Sequence, residues 1–182
     1  MAKELTRKEF LRGAFTFFRQ EETSVRKDLK FLLPPGAENV DNYLKECTRC
    51  YECVSKCPHE AIRVWHGDNS EFAGYPVIEP RQQPCQLCSD FPCIAACPTD
   101  ALREIYQDKP LGKAYIDQST CFAYQGNVCQ SCVTSCPLTG QAINLDQHGA
   151  PVVNDEFCTG CGICTYVCPA DEPAIKIKNI HE

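Results

Sequence analysis

The chain has 182 residues, a formal net charge of −6 and 16 cysteines, and aromatic residues make up only 9% of it. Residues 47–182 carry sixteen acidic residues against nine lysines and arginines, so they lack the basic face that nucleic acid requires and suit docking onto a basic patch of another protein. No stretch approaches the roughly 18 consecutive apolar residues of a membrane span, so we expect neither a nucleic-acid partner nor a membrane span.

The first 33 residues are predicted to form a helical arm. On a helix, Leu11, Ala14, Phe15 and Phe18 share one apolar face. This face either packs against the rest of the chain or docks on a partner or a neighbouring copy, which would give self-association through the arm. The segment lacks the apolar core of roughly 7–15 residues that a secretory signal needs, so we expect a cytoplasmic protein.

The cysteines form four groups of four, and each group ends in Cys-Pro. The motifs cover residues 47–58, 85–98, 121–137 and 158–169, with cysteines Cys47, Cys50, Cys53, Cys57, Cys85, Cys88, Cys93, Cys97, Cys121, Cys129, Cys132, Cys136, Cys158, Cys161, Cys164 and Cys168. Short β-branched runs before the last three motifs predict strands, and apolar runs after every Cys-Pro, such as "AIRVW" and "ALREIY", predict second strands. The helix-like "NVDNYLKEC" precedes the first motif instead.

The spacing of the cysteines is typical of iron–sulfur clusters. In C-x2-C-x2-C-x3-C-P, three cysteines of one tight loop reach neighbouring irons of a cubane cluster, and the fourth ligates the other cluster of a pair. The first and fourth motifs match this bacterial ferredoxin signature, whereas the second and third carry extra residues but still end in C-x3-C-P. We therefore expect all 16 cysteines to bind four [4Fe–4S] clusters.

Two glycines of the fourth motif are candidate cofactor-binding residues. Gly160 and Gly162 allow backbone N–H groups to approach the inorganic sulfides, as in other anion-binding nests. The first motif has Arg49, Tyr51 and Glu52 at the corresponding places, so its cluster is expected to differ in potential.

Zinc and disulfides are the alternative uses of so many cysteines. Zinc sites with four cysteines usually have two C-x2-C pairs that are a dozen or more residues apart, unlike these motifs. Eight disulfides would join cysteines that are too close in sequence for good geometry, and they would require secretion. Both alternatives fit the spacing less well than iron–sulfur clusters do.

The repeated unit of strand, cysteine loop, short helix and strand defines the predicted architecture. We expect an α+β fold in which two ferredoxin-like modules of two [4Fe–4S] clusters each pack together, with short strands and helices around the clusters. Residues 34–182 form this four-cluster domain, and residues 1–33 form the N-terminal helical extension.

Three stretches of the chain are "LLPPGAENVDNYLKECTRC", "PVIEPRQQPCQLCSDFPCIAACPTDAL" and "CFAYQGNVCQSCVTSCP". They resemble the ferredoxin-type accessory proteins of the NapF, NapG and MauM group, found with periplasmic nitrate reductases and related systems. The resemblance implies a polyferredoxin whose four [4Fe–4S] clusters relay electrons to or from a catalytic oxidoreductase subunit. The stretch "TRKEFLRGAF" resembles a twin-arginine export signal, but Lys8 stands in place of the second arginine.

The second motif also resembles that of the iron–sulfur subunits that partner molybdopterin oxidoreductases, in which clusters pair in a nested way. This similarity implies that the first motif pairs with the fourth and the second with the third. The implied ligand sets are Cys47, Cys50, Cys53 and Cys168; Cys57, Cys158, Cys161 and Cys164; Cys85, Cys88, Cys93 and Cys136; and Cys97, Cys121, Cys129 and Cys132. Sequential pairing stays open, because the signature requires only that paired units exchange their last cysteine.

The resemblance implies a separate catalytic partner, a molybdenum or tungsten pterin enzyme such as a nitrate reductase or an aldehyde oxidoreductase. The sequence has no Gly-rich phosphate loop, flavin motif or nucleophile–base pair, so we expect an electron-transfer subunit and not an enzyme. The alternative is a NapF-like maturation factor or chaperone for a molybdoenzyme. An electron carrier copurifies stoichiometrically with its enzyme, whereas a chaperone binds the apo-enzyme transiently.

Overall fold

The computed structural model describes residues 29–67 and 70–180. The apolar face predicted on the N-terminal arm, from Leu11 to Phe18, lies outside these residues. Among the helices that the structure describes, none has the length and the apolar character needed to cross a bilayer.

The segment that leads into the body, residues 29–33, packs into the first half of the fold. Phe31, Leu32 and Leu33 are each at most 1% exposed. Leu32 also exchanges two backbone hydrogen bonds with Ile78, at 2.8 and 2.9 Å. The end of the predicted arm therefore contributes to the core.

Short helices and strands follow one another along the chain. The helices are α1 (Val40–Glu46), α2 (Glu52–Ser55), α3 (Pro92–Ala95), α4 (Ser131–Thr134) and α5 (Ile163–Tyr166). The strands are β1 (Ile62–Val64), β2 (Pro76–Ile78), β3 (Lys113–Ile116), β4 (Ile143–Leu145), β5 (Pro151–Val153) and β6 (Ile175–Lys178). Single turns of 3-10 helix cover Ser70–Phe72 and Glu104–Tyr106.

The helix predicted before the first motif is confirmed as α1. The side chain of Asn39 accepts a hydrogen bond from the backbone N–H of Asn42 at 2.8 Å and so caps the first turn. Val40 and Tyr43 are three residues apart and both buried, which places them on the inner face of the helix. The helix ends directly before Cys47, so it positions the start of the first cysteine loop.

The strands pair into three two-stranded antiparallel sheets, β1 with β2, β3 with β6 and β4 with β5. In the second half, β3 before the third motif pairs with β6 after the fourth, while β4 and β5 form the hairpin between them. The first half has the equivalent hairpin, β1 with β2.

The strand predicted in "ALREIY" is wrong, because this stretch forms the 3-10 turn Glu104–Tyr106. In the second half, the corresponding strand β6 pairs with β3, which precedes the third motif. Helix α1 precedes the first motif instead, so "ALREIY" has no equivalent strand to pair with. A strand without a neighbour leaves its backbone groups without ladder hydrogen bonds, and a local turn satisfies some of them.

The cores of the two halves differ in composition. In the first half, the large side chains of Phe31, Tyr43 and Phe72 are buried together with aliphatic residues and cysteines. The buried cluster of the second half consists of Ala114, Cys132, Ile143 and Ile175. The second half therefore buries much less apolar material of its own.

Backbone hydrogen bonds join the two halves. The N–H of Leu111 donates to the carbonyl oxygen of Thr159 at 2.8 Å. The N–H of Cys85 donates to the carbonyl oxygen of Cys161 at 3.1 Å. The second and fourth cysteine loops are therefore in direct contact.

Candidate metal centres

Four small cavities are surrounded by cysteines. Each is lined by three cysteines of one motif and the last cysteine of another. Site 1 is lined by Cys47, Cys50, Cys53 and Cys97; site 2 by Cys57, Cys85, Cys88 and Cys93; site 3 by Cys136, Cys158, Cys161 and Cys164; and site 4 by Cys121, Cys129, Cys132 and Cys168.

The nested pairing of motifs that the second motif implied is wrong. Sites 1 and 2 combine the first and second motifs, and sites 3 and 4 combine the third and fourth. Cys97 lines site 1 and Cys168 lines site 4, so each completes the site of its neighbouring motif. The reason is the packing of the short helices, because α2 lies against α3 and α4 lies against α5.

The contact between Cys85 and Cys161 orders the sites in a row. Cys85 lines site 2 in the first half, and Cys161 lines site 3 in the second half. Sites 2 and 3 are thus the inner members of the row, and sites 1 and 4 are the outer members. Each inner site shares its two motifs with the outer site of the same half.

Residues with a left-handed backbone give the cysteine loops their shape. In the fourth motif they are Gly160 and Gly162, with φ of 69° and 87°. Arg49 and Tyr51 adopt the same conformation at the same places of the first motif, with φ of 57° and 64° and a cost of about 1 kcal/mol or more each. The Arg49 guanidinium lies 5.1 Å from the ring centre of Tyr75, a favourable cation–π contact.

The two glycines of the fourth motif line site 3 and also touch the first half of the chain. A Cβ on Gly160 would lie 2.3 Å from the backbone nitrogen of Gly112, and one on Gly162 would lie 2.5 Å from the Cβ of Pro80. Close packing between the halves therefore requires glycine here, a role that the sequence pattern did not indicate. Their contact with a cofactor stays a prediction.

Burial of the cysteines opposes their ionisation. Burial, followed by the neighbouring thiols of Cys47 and Cys97, raises the pKa of Cys53 to about 12. Burial also raises the pKa of Cys85 to about 12 and the pKa of Cys132 to about 11. Metal ligation requires thiolates, so these sites need a cationic centre to compensate the buried charge, as the irons of a cluster do.

The arrangement of the donors fits a group with several metal atoms. In residues 29–67 and 70–180, no group of three or more histidine, cysteine, aspartate or glutamate side chains could hold a single metal ion. The four thiols of each site stand around a cavity instead. A cubane [4Fe–4S] cluster, which takes four cysteine ligands at separate corners, fits this donor set.

Tyr43 belongs to site 1, a role that the cysteine motifs did not indicate. It lines the cavity together with Pro76, and its hydroxyl donates to the Pro76 carbonyl oxygen at 2.6 Å. The sequence indicates a buried position for Tyr43, because Tyr43 and Val40 are at helical spacing directly before Cys47.

Two family models match the chain, and both describe a 4Fe-4S dicluster domain. They cover residues 46–101 and 114–177, so each contains one pair of sites. The ferredoxin-type protein NapG of Escherichia coli (strain K12) is 36% identical over 172 residues, 87% of this chain and 74% of NapG. The methylamine utilization ferredoxin-type protein MauM of Paracoccus denitrificans is 35% identical over 176 residues, 91% of this chain and 79% of MauM.

Two dicluster domains and 16 cysteines define a ferredoxin-type electron-transfer protein with four [4Fe–4S] clusters. A further relative, the ferredoxin-type protein NapF of Escherichia coli (strain K12), is 27% identical over 158 residues, 86% of this chain and 90% of NapF. The chain belongs to the family of ferredoxin-type proteins that includes NapG and MauM, which confirms the resemblance found in the sequence.

Proposed function

We propose that the chain conducts electrons along the row of sites, between site 1 at one end and site 4 at the other. A [4Fe–4S] cluster bound by thiolates takes up and releases one electron. The observation that carries the proposal is the hydrogen bond between Cys85 and Cys161, because it joins the inner sites of two separate dicluster domains. A single chain thereby carries all four sites.

The four cysteines around each cavity are the proposed ligands of one cluster. Each set combines three thiols of a tight loop with one thiol of the neighbouring motif, as the ferredoxin signature requires. Gly160 and Gly162 are the proposed cofactor-binding residues of site 3, because backbone N–H groups at left-handed residues favour anionic groups such as cluster sulfides. The burial of Cys53 and Cys85 keeps water from these ligands and so influences the cluster potential.

The proposed partner is a separate oxidoreductase subunit that performs the catalysis, while this chain transfers only electrons. A molybdenum or tungsten pterin enzyme is our preferred partner, supported by the resemblance of the second motif to the iron–sulfur subunits of such enzymes. The cytoplasm is the proposed location, since a reducing compartment keeps 16 thiols available for cluster assembly.

Anaerobic purification followed by iron and sulfide analysis tests the cofactor content. We expect about sixteen of each per chain, and magnetically coupled EPR signals after dithionite reduction. Zinc in place of iron, or the absence of sulfide from a well-folded protein, would contradict electron transfer.

Copurification with the partner separates an electron carrier from a maturation factor. A carrier is recovered in a constant ratio with the active enzyme, and its clusters are reduced when the substrate of that enzyme is added. Binding that is restricted to the cofactor-free enzyme, with no reduction of the clusters, would identify a maturation factor instead.

A further inference from the structure

The part of the chain around site 4 carries no charge over a long stretch. From Gln118 to Leu145 there is no aspartate, glutamate, lysine, arginine or histidine, although 23% of the whole chain is charged. This uncharged segment contains Cys121, Cys129 and Cys132, three of the four cysteines that line site 4. The end of the row therefore lies under an uncharged part of the surface.

Three large apolar side chains of the uncharged segment are exposed, and we call them the site 4 face. Val128, next to a cysteine of site 4, is 98% exposed, Phe122 is 39% exposed and Leu145 is 36% exposed. Phe122 and Pro151 line the cavity of site 4, and Leu145 is opposite Pro151 in the β4–β5 hairpin. The Tyr124 hydroxyl joins this loop to the hairpin by donating to the Pro151 carbonyl oxygen at 3.2 Å.

Acidic residues border the site 4 face. Asp117 and Asp171 directly follow residues that line site 4, and Asp146 directly follows Leu145 of the face. From residue 114 to residue 175 the chain has six aspartates and glutamates but neither lysine nor arginine. Two basic residues lie among these carboxylates, because Arg81 donates to the carbonyl oxygens of Cys168 and Ala170 and Lys176 pairs with Glu172. Asp117, Asp146, Asp171 and Glu172 outnumber them, so the face is an apolar area in a surrounding that is acidic on balance.

The surface around site 1, at the other end of the row, has mixed charges. Two segments line site 1 on this side: residues 45–56 contribute five lining residues and residues 100–104 contribute two. Together these segments carry four basic and four acidic side chains. Some of them pair with each other, as Lys45 does with Glu46 at 2.9 Å. The two ends of the row therefore suit partners of different charge.

We propose that the site 4 face is the docking surface for a redox protein whose contact area is apolar and surrounded by lysines or arginines. Depletion of charge and exposed aromatic or apolar residues are typical of the core of a protein interface, and a charged rim of opposite sign guides the encounter. Docking here brings the cofactor of the partner next to the outermost site. This inference rests on the proposed electron transfer along the row.

Electron transfer to cytochrome c tests the proposal, because this haem protein has lysines around its exposed haem edge. The iron-loaded full chain is reduced with dithionite, separated from the excess reductant and mixed with ferric cytochrome c in a stopped-flow instrument. Each electron that the iron–sulfur protein loses reduces one ferric haem to the ferrous form, and no proton is transferred. We expect the second-order rate constant to fall as salt is added, because ions screen the opposite charges.

Val128→Lys places a positive charge on the face, and the residue is so exposed that the change disturbs no buried contact. We expect the rate constant at low salt to fall roughly threefold to tenfold. Ile105→Lys is the matched control, because Ile105 is an aliphatic residue of the first half that is 70% exposed. The control changes the net charge equally and should lower the rate constant clearly less.

A second pair of variants tests the acidic surrounding of the face. Asp171→Asn removes a charge beside site 4, whereas Asp108→Asn removes an exposed charge of the first half. We expect Asp171→Asn to lower the rate constant at low salt and to have little effect at high salt. Asp108→Asn should change the rate constant less under both conditions.

Three results would overturn the docking proposal. They are equal rate constants for the two lysine variants, a wild-type rate constant that does not depend on salt, and a wild-type dimer in analytical ultracentrifugation that Val128→Lys dissociates. The last result would show that the face binds a second copy of the chain. If the iron-loaded protein does not reduce cytochrome c at all, the electron-transfer function itself is contradicted.

Discussion

The backbone N–H of Cys85 donates a hydrogen bond to the backbone carbonyl oxygen of Cys161, 3.1 Å away. Each of these cysteines lines the inner site of its own half, so this bond joins sites 2 and 3. The second and fourth loops lie at this junction, and each of them supplies three cysteines of an inner site. Cysteine substitutions can test the ligand sets independently of the hydrogen bond between Cys85 and Cys161.

Pairs of cysteine substitutions should distinguish sequential from nested pairing. Cys53 and Cys97 line the same cavity, so Cys53→Ser with Cys97→Ser removes two ligands from one cluster and should leave three intact [4Fe–4S] clusters. Cys53 and Cys168 line different cavities, so Cys53→Ser with Cys168→Ser should leave two. Integrated EPR signals of the reduced protein give the number of intact clusters.

The nested arrangement predicts the reverse counts for these two double variants. Cys93→Ser with Cys57→Ser is the matched control in the second cavity of the first half, and it should also leave three clusters. A protein that retains three clusters after the loss of Cys53 and Cys168 would contradict the ligand sets proposed above.

Gly160→Ala should destabilise the junction between the halves. The added Cβ would lie 2.3 Å from the backbone nitrogen of Gly112, and an alanine at φ of 69° is also strained. Overpacking and backbone strain together cost roughly 2–4 kcal/mol, which lowers the midpoint temperature of cluster bleaching by roughly 5–15 °C. Visible absorbance of the clusters during anaerobic heating measures this midpoint.

Gly149→Ala is the control for backbone strain alone. Gly149 has a similar φ of 79°, but its Cβ would meet no atom within 4 Å. We expect a decrease of only a few degrees, from a cost of about 1 kcal/mol. Equal midpoints for the two variants would show that the contact with Gly112 does not restrict the junction.

Tyr43→Phe should lower stability through the loss of one buried hydrogen bond. The Tyr43 side chain is 1% exposed, and its hydroxyl donates to the Pro76 carbonyl oxygen at 2.6 Å. The loss costs about 1 kcal/mol, or roughly 2–4 °C in the same bleaching experiment. Tyr75→Phe removes the half-buried hydrogen bond to the Leu44 carbonyl oxygen and should lower the midpoint temperature less. A larger decrease for Tyr75→Phe than for Tyr43→Phe would contradict this explanation.

Removal of iron should unfold the second half before the first. The first half buries Phe31, Tyr43 and Phe72, whereas the buried cluster of the second half has no aromatic residue and consists of an alanine, a cysteine and two isoleucines. After iron chelation, hydrogen exchange measured by mass spectrometry should approach unfolded rates in residues 114–177 while part of 29–111 stays protected. Equal loss of protection in both halves would show that apolar burial does not support the first half without clusters.

Local features of the fold could be predicted because they depend on neighbouring residues. The β-branched runs form β2, β3 and β5 as expected, and the apolar spacing before Cys47 forms α1. The expected strand in "ALREIY" is absent, because strand formation depends on a partner that the rest of the fold does not supply.

The pairing of the cysteine motifs could not be predicted, because the signature fixes only the exchange of a last cysteine. The loops of residues 47–58 and 85–98 would fit either arrangement on spacing alone. The packing of α2 against α3 decides between them, and it involves residues far apart in sequence. The close packing of Gly160 could not be predicted for the same reason, because its neighbour Gly112 belongs to the other half.

The exchange of the last cysteine also affects how the protein is made. Cys57 of site 2 gains its last partner when Cys93 has been synthesised, and site 1 lacks Cys97 for four residues longer. Neither cluster of the first half therefore has all its ligands on a nascent chain that stops before Cys93, and the two ligand sets are completed within four residues of each other. The ligands of the second half are likewise complete only when Cys168 has left the ribosome, so the two halves acquire full ligand sets one after the other.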